Sequence, residues 1–520
     1  MSPSAGDPEY ADAYLNEWLT AMGLGVEYVR AAGDTVFYLD ENGREVPVLD
    51  LACGFGSLIF GHNNPEIVAA AKQILDAQIP VHAQLSHQPH ANRVAAALNT
   101  AIRRELRTDD SYIAIFGNSG AEAIEICMKH AELERRARIA VLSAEIGENI
   151  AQARAALRAG SAKIAPGPHI SAELPVAAAL AAVQKWNAER LAKRPIYLTL
   201  EHAFHGKLIG SIQLTQNEQW RTPFVGLASA ARFVPVDRPD ALAQIVADER
   251  EFLLDLVLDG ATVQVVERDF PIVAAFFVEP IRGGAGLIPV APELAREIEK
   301  TCVALGCPLV TDEVQSGLGR AGALLASSRL GLTGDYITLA KSIGGGIAKN
   351  SVALIRRDRF RPEFEVIHSS TFAKDGFSGH IALKVLDMLE ADGGAAYRKA
   401  DELGARLIAE LEAVRAEFPE LITQVCGLGL MLAIEIADLS ASRNERIREQ
   451  AASGSFGFVL AGYLLREHRI RVLPAGPGWR FIRFEPSIHL ADAEVGRIGA
   501  ALRDLGAVLR DQDDRRLLPQ

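Results

Sequence analysis

Residues 309–346, LVTDEVQSGLGRAGALLASSRLGLTGDYITLAKSIGGG, constrain this chain more than any other stretch. Leu309 to Asp312 reads as a short buried strand with a carboxylate at its C-terminal end. The run is bounded by polar residues and loop glycines and is too short for a helix. Tyr336 to Ala340 repeats the pattern, and Lys341 follows at once, ahead of a flexible turn at Gly344, Gly345 and Gly346. A carboxylate and an amine therefore leave neighbouring strand ends together. In an open α/β sheet that place is the crevice at the carboxyl edge, where ligands bind.

Carbonyl capture is the chemistry that uses both groups. A lysine forms a Schiff base, and a buried carboxylate keeps a heteroaromatic nitrogen protonated so that the ring accepts electrons. Pyridoxal 5'-phosphate is the cofactor this pair implies. The competing reading of Lys341 is an ordinary surface lysine beside a loop.

A second stretch answers to a phosphate. Tyr112 to Phe116 reads as a short apolar strand, and Gly117, Asn118, Ser119, Gly120 and Ala121 turn it into a helix running from Glu122 to about Arg138. Small residues at a helix start let backbone N–H groups close around an anion, which the helix dipole also favours. The alternative is a plain helix start capped by Ser119.

The rest of the composition narrows the class. The 520 residues are 49% hydrophobic and 23% charged, which fits a globular protein with room for two or three domains. A formal net charge of -12 gives no polycationic face for phosphate backbones, so nucleic acid is not an expected partner. Cys302 and Cys307 have neither a second cysteine pair nor a nearby histidine, so apolar packing is expected rather than zinc, and no metal site is predicted. The start MSPSAGDPEY lacks a basic segment before an apolar run, and no apolar stretch reaches membrane-spanning length. A cytoplasmic protein is expected.

DEVQSGLGR followed by AKSIGGG resembles the class III aminotransferases, the ornithine, acetylornithine and omega-aminotransferase group of pyridoxal phosphate enzymes with fold type I. The resemblance extends over roughly residues 25–510. NSGAEA is similar to the family's phosphate segment, and Phe204, His205 and Gly206 to its aromatic-histidine-glycine motif. His368 to Phe372 is similar to a segment whose threonine serves the neighbouring subunit, and Arg483 to the arginine that clamps an α-carboxylate. The resemblance implies a mostly parallel seven-stranded sheet in a large domain at 86–380. A small α+β domain would be built from 1–85 and 381–520. Surface insertions are expected at about 139–195 and 240–270.

The same resemblance assigns roles. Lys341 and Asp312 are the catalytic pair. Ser119, Gly120 and Ala121 hold the phosphate, with Glu122 ordering the base of the site. Phe204 and Val314 pack on opposite ring faces, Gln315 bonds the phenolic oxygen or a group coupled to it, and His205 and Glu279 complete the cofactor set. Thr371 reaches the partner's phosphate, so a homodimer is implied. Phe55, Ser57 and Arg483 face the substrate, and His62 is structural; Arg282 is read from its own place, one loop position from the usual acidic site, as a second positive group for the substrate, the alternative being a side chain that points to solvent.

Departures matter too. EPIRGGAG puts Arg282 where relatives carry glutamine and Gly284 where they carry glutamate. In amine-using relatives that glutamate pairs with the substrate arginine, so without it an α-amino acid donor is expected and terminal amines should be poor. AKDGFSGH also departs from the usual loop near the phosphate. Transamination between an α-amino acid and a 2-oxo acid is the preferred activity. The alternatives are racemisation, decarboxylation or elimination with carbon-carbon bond formation in specialised metabolism, or a fold that has lost catalysis.

Local patterns predict a helix over 10–22, a hairpin turning at Glu41, Asn42 and Gly43, and a helix at DEREFLLDLVLDG. Further helices are predicted at 381–390, 397–418, 456–467 and 492–509, and the tail DQDDRRLLPQ is expected to fray.

Overall fold

The strands ending at Asp312 and just before Lys341 lie in the middle of a seven-stranded sheet, ordered 112–117, 351–356, 336–339, 309–312, 273–278, 196–200, 231–234. The structure is a computed structural model that describes residues 10–167, 169–170, 174–238 and 240–518. The leader reading of the first nine residues and the last two residues of the tail lie outside it. The strand 351–356 runs antiparallel to both its neighbours, and the remaining pairings are parallel. Strands 273–278, 309–312 and 336–339 are buried at every position. A strand covered on both faces has no solvent side to mark with polar residues, hence the continuous apolar runs in the sequence.

The expected hairpin is present, with Thr35–Leu39 antiparallel to Glu45–Asp50. Ile470–Arg471 adds to it in parallel, so both ends of the chain share one sheet. His62 braces this region, its Nε2 lying 2.8 Å from Asp50 Oδ2. A second four-stranded sheet runs 422–428, 431–436, 481–484, 473–475 and carries Arg483. The predicted helices at 381–390 and 397–418 are the two arms of Gly376–Glu417, broken where Asp392, Gly393 and Gly394 take left-handed conformations. No described helix is long and apolar enough to cross a membrane.

Three local expectations fail. The helix after Ser119 does not stop near Arg138 but runs on to Arg158. DEREFLLDLVLDG is not a helix: Ala241–Asp248 is helical, and Glu251–Asp259 is a strand paired with Thr262–Phe270 around Gly260 at φ 58. Aspartate-glycine is a strong hairpin signal, and the leucines alternate in the required way. Leu254 and Leu256 join one apolar cluster, Leu253 another. The tail is docked rather than frayed, with Leu517 and Leu518 buried and the Arg516 carbonyl accepting from Arg466 Nη2 at 2.7 Å.

The two stretches expected as insertions pack against each other. The end of the Gly120–Arg158 helix, the Val176–Leu191 helix and the 251–270 hairpin enclose a core of Leu157, Leu180, Val183, Leu254, Leu256 and Val263. Asn187 fastens helix to hairpin, its Nδ2 donating to Leu254 O and its Oδ1 accepting from Leu254 N, both at 2.8 Å.

Candidate active site

Three groups fix the Asp312 carboxylate. Thr338 Oγ1 donates to Oδ1 at 3.0 Å, as does the Val314 N–H at 3.1 Å, and His205 Nδ1 lies 2.7 Å from Oδ2. His205 is braced in turn by Thr199, whose Oγ1 is 3.0 Å from Nε2. Burial opposes a charge on this imidazole, but the Asp312 hydrogen bond and charge outweigh it, so His205 keeps its proton above the usual range. His205 therefore acts as a brace behind Asp312.

Lys341 follows the next strand in a left-handed backbone conformation, φ 47. Burial pushes its amine down from 10.5 to about 8, while the Glu485 charge works to keep the proton on. An amine poised near neutrality is one that can act as nucleophile and base. Lys341 and Asp312 line one cavity with Gly120, Ala121, Phe204 and Val314.

The helix start beside them is a capping box. Ser119 Oγ accepts from the Glu122 N–H at 3.3 Å, and Glu122 Oε2 accepts from the Ser119 N–H at 3.2 Å. Gly120 and Ala121 stand in the first turn, where an α-helix leaves N–H groups without intrahelical partners. A Cβ on Gly120 would stand 2.6 Å from Val314 Cγ1, so only glycine lets this turn close on Val314. Glu279 ties the aromatic loop down, accepting from the Phe204 N–H at 2.8 Å and the Gly283 N–H at 2.9 Å. Burial raises its carboxyl above the ordinary range.

This donor set fits pyridoxal phosphate. It offers an amine of lowered proton affinity, a carboxylate pinned by three groups, two apolar side chains around a cavity, and a helix start aimed at an anion. Thr371 is exposed, its carbonyl taking a hydrogen bond from Gln84 at 2.8 Å.

The substrate side differs from expectation. Arg483 is buried, its Nη2 donating to Pro474 O at 3.1 Å, and its guanidinium stands 5.4 Å from the Phe55 ring centre. Phe55 is itself half exposed in a left-handed conformation, φ 57. An acidic partner does stand beside Arg483: Glu485 Oε2 lies 3.7 Å from Nη1. The sequence carries the signal, because residues two apart in the strand RFIRFE share a face. The ground for expecting terminal amines to be poor is therefore removed.

Gly284 also has a steric reason to be glycine. A Cβ there would stand 2.2 Å from His202 O, so a glutamate could not occupy this backbone. Arg282 is a correction. It is buried, donates to Glu201 O at 3.4 Å and is not among the residues lining the cavity, whereas Ile281 is. Successive strand residues point to opposite faces, so Ile281 facing in turns Arg282 away. Gln315 Nε2 donates to Glu485 Oε1 at 2.5 Å. Arg320, within DEVQSGLGR, is wholly buried and donates to Gly56 O at 3.0 Å.

Comparison with known proteins agrees with this geometry. Ornithine aminotransferase from Toxoplasma gondii is 20% identical and superposes with a TM-score of 0.66, over 94% of this chain and 91% of that one. An amine transaminase from an uncultivated Pseudomonas species, solved with pyridoxal phosphate bound, is 20% identical with a TM-score of 0.64, over 93% and 94%. A transaminase from the marine bacterium Virgibacillus is 17% identical with a TM-score of 0.67, over 94% of each chain. These likenesses establish the fold, and residues 22–505 match the family model for aminotransferase class-III. With that match spanning nearly its whole length, the chain belongs to the class-III aminotransferases, which carry out transamination with pyridoxal phosphate as cofactor.

Proposed function

We propose that this enzyme passes the amino group of an α-amino acid to a 2-oxo acid, as a cytoplasmic homodimer. Bound pyridoxal phosphate supplies an electrophilic carbonyl and an electron sink. Lys341 would hold that carbonyl through its amine, and the freed amine would remove the proton from the donor's Cα and, in the reverse direction, place one on the acceptor's. Asp312, held by Thr338 and His205, provides the negative charge that keeps a ring nitrogen protonated. Phe204 and Val314 enclose the ring, Glu279 fixes the Phe204 loop, and Ser119, Gly120 and Ala121 take the phosphate from a turn ordered by Glu122. Thr371 of a second copy adds to that phosphate site. Arg483 receives the substrate carboxylate under Phe55, since a planar guanidinium fits a carboxylate with two hydrogen bonds.

The observation that carries this reading is the pairing of a buried lysine of lowered proton affinity with a braced aspartate at adjacent strand ends. The test has two parts. Borohydride treatment should leave a cofactor adduct on the peptide containing Lys341, and nitrogen-15 from a labelled amino acid should appear in the amino acid formed from an added 2-oxo acid. Lys341→Ala should lose both. An adduct that persists in that variant, or label released only as ammonia, would overturn the assignment.

A further inference from the structure

Glu485 touches both halves of the site. Its side chain is wholly buried just past the 481–484 strand, and its N–H donates to Leu51 O at 2.7 Å. One carboxylate oxygen, Oε1, accepts from Gln315 Nε2 at 2.5 Å. The other, Oε2, faces Arg483 Nη1 at 3.7 Å and is a buried acceptor with no hydrogen bond among the described residues. Arg483 Nε is likewise buried and unbonded. Buried polar atoms are almost always satisfied, so two such atoms on facing partners mark an interaction left open. The reason is visible on either side. Gln315 holds Oε1, and Pro474 O holds Arg483 Nη2 at 3.1 Å, so the ion pair stops short of hydrogen-bond contact. Gln315 lines the same cavity as Lys341 and Asp312.

We infer that Glu485 is a positioning residue that relays occupancy of Arg483 to Lys341. Gln315 keeps Glu485 partly off the guanidinium, so a substrate carboxylate can take Arg483 and leave the Glu485 charge acting on the lysine. The inference rests on the function proposed above. Lys341 feels Glu485, Asp312 and Glu279 as anions and Arg483 as a cation. His205 stands behind Asp312, and Arg320 lies close to Glu485 beneath Gly56. When a carboxylate neutralises Arg483, the anions are less opposed and the amine holds a proton more tightly. The base is strengthened when substrate is seated, and less so before.

The test uses full-length holoenzyme and butyrate, which has a carboxylate but no amine, and follows the visible absorbance of the lysine-bound cofactor against pH. In the wild type the midpoint should rise as butyrate is added. In Glu485→Gln the butyrate-free midpoint should fall by about one pH unit, and the butyrate Kd should fall about tenfold because the guanidinium has lost its competing anion. In Gln315→Leu, Glu485 is free to close on Arg483, and the Kd should rise about threefold. Arg483→Leu should lose the butyrate response. If it does, while Glu485→Gln keeps the wild-type midpoint and Kd, the relay is wrong and the proposed function stands. If Arg483→Leu responds like the wild type, the carboxylate anchor is wrong and the relay falls with it.

Discussion

At Lys341 two costs meet in one residue. Its backbone adopts φ 47, a region most side chains avoid, and burial lowers its amine from 10.5 to about 8. Strain of this kind persists where the surrounding structure imposes it, here the strand before and the glycine turn after. The lowered value has a thermodynamic consequence in the apo protein. Between about pH 8 and 10.5 the unfolded chain binds the proton and the folded chain does not, so stability rises with pH across that window. Below it, both states are protonated and the full cost, roughly 3 kcal/mol, is in place. Lys341→Met should therefore be more stable than the wild type in urea at pH 7, with a gap that closes towards pH 10. A gap constant over that range would mean the amine is not held below its free value. Gly284 makes a steric prediction: Gly284→Ala should lose about 1–3 kcal/mol, because the His202 carbonyl occupies the place of its Cβ. Unchanged urea midpoints would show that the backbone can open there. Lys341, Asp312 and the Gly120 turn were legible because each sits at a strand or helix end with an unusual residue type. Glu485 was equally open to a period-two reading of 479–485, and Arg282 could have been turned away from the substrate by the same argument.

The elements most poorly anticipated are those packed around the 251–270 hairpin. The sequence gives two separate alanine- and leucine-rich stretches, and each alone looks helical, since leucine, glutamate and alanine all favour helices. Only their contact decides otherwise. The 251–259 segment becomes a strand because the helices at 120–158 and 176–191 offer an apolar surface that alternate leucines can cover, and because Asp259 and Gly260 turn the chain back. Tertiary packing overrides helical propensity here. Asn187 is the fastening, with both amide atoms committed to the backbone of Leu254. Asn187→Ala would leave a buried donor and acceptor unpaired, at about 1–3 kcal/mol each. Amide exchange should accelerate in 176–191 and 251–270 while the cofactor absorbance and the exchange of 309–312 remain as in the wild type. Acceleration spread evenly over the chain would show that these elements do not open on their own.

On the scale of the whole molecule, the chain-end pairing of 470–471 with 45–50 could not be read from the sequence, because a two-residue strand has no pattern and its partner lies more than four hundred positions away. The proposed dimer is a different matter, because an exposed apolar patch offers it a surface. Val366, Ile367 and Phe372, which flank Thr371 in the sequence, are 87%, 60% and 62% exposed. Leu85 is fully exposed nearby in a left-handed conformation, on the segment whose His82 ring packs edge-on to Phe372 and whose Gln84 bonds the Thr371 carbonyl. Large apolar side chains gathered in one place mark an interaction surface, and a two-fold interface is the commonest way for a chain to cover its own patch. If a second copy covers this one, the patch and the cofactor site are energetically linked, since Thr371 is delivered to a neighbour's phosphate only when the interface forms. Val366→Asp combined with Phe372→Asp should then move the sedimenting species from dimer to monomer and weaken pyridoxal phosphate binding at least about tenfold. Thr371→Ala alone should weaken cofactor binding without changing the sedimentation. Monomers that bind the cofactor as tightly as the wild type would separate assembly from the site, and a double variant that remains dimeric would place the interface elsewhere.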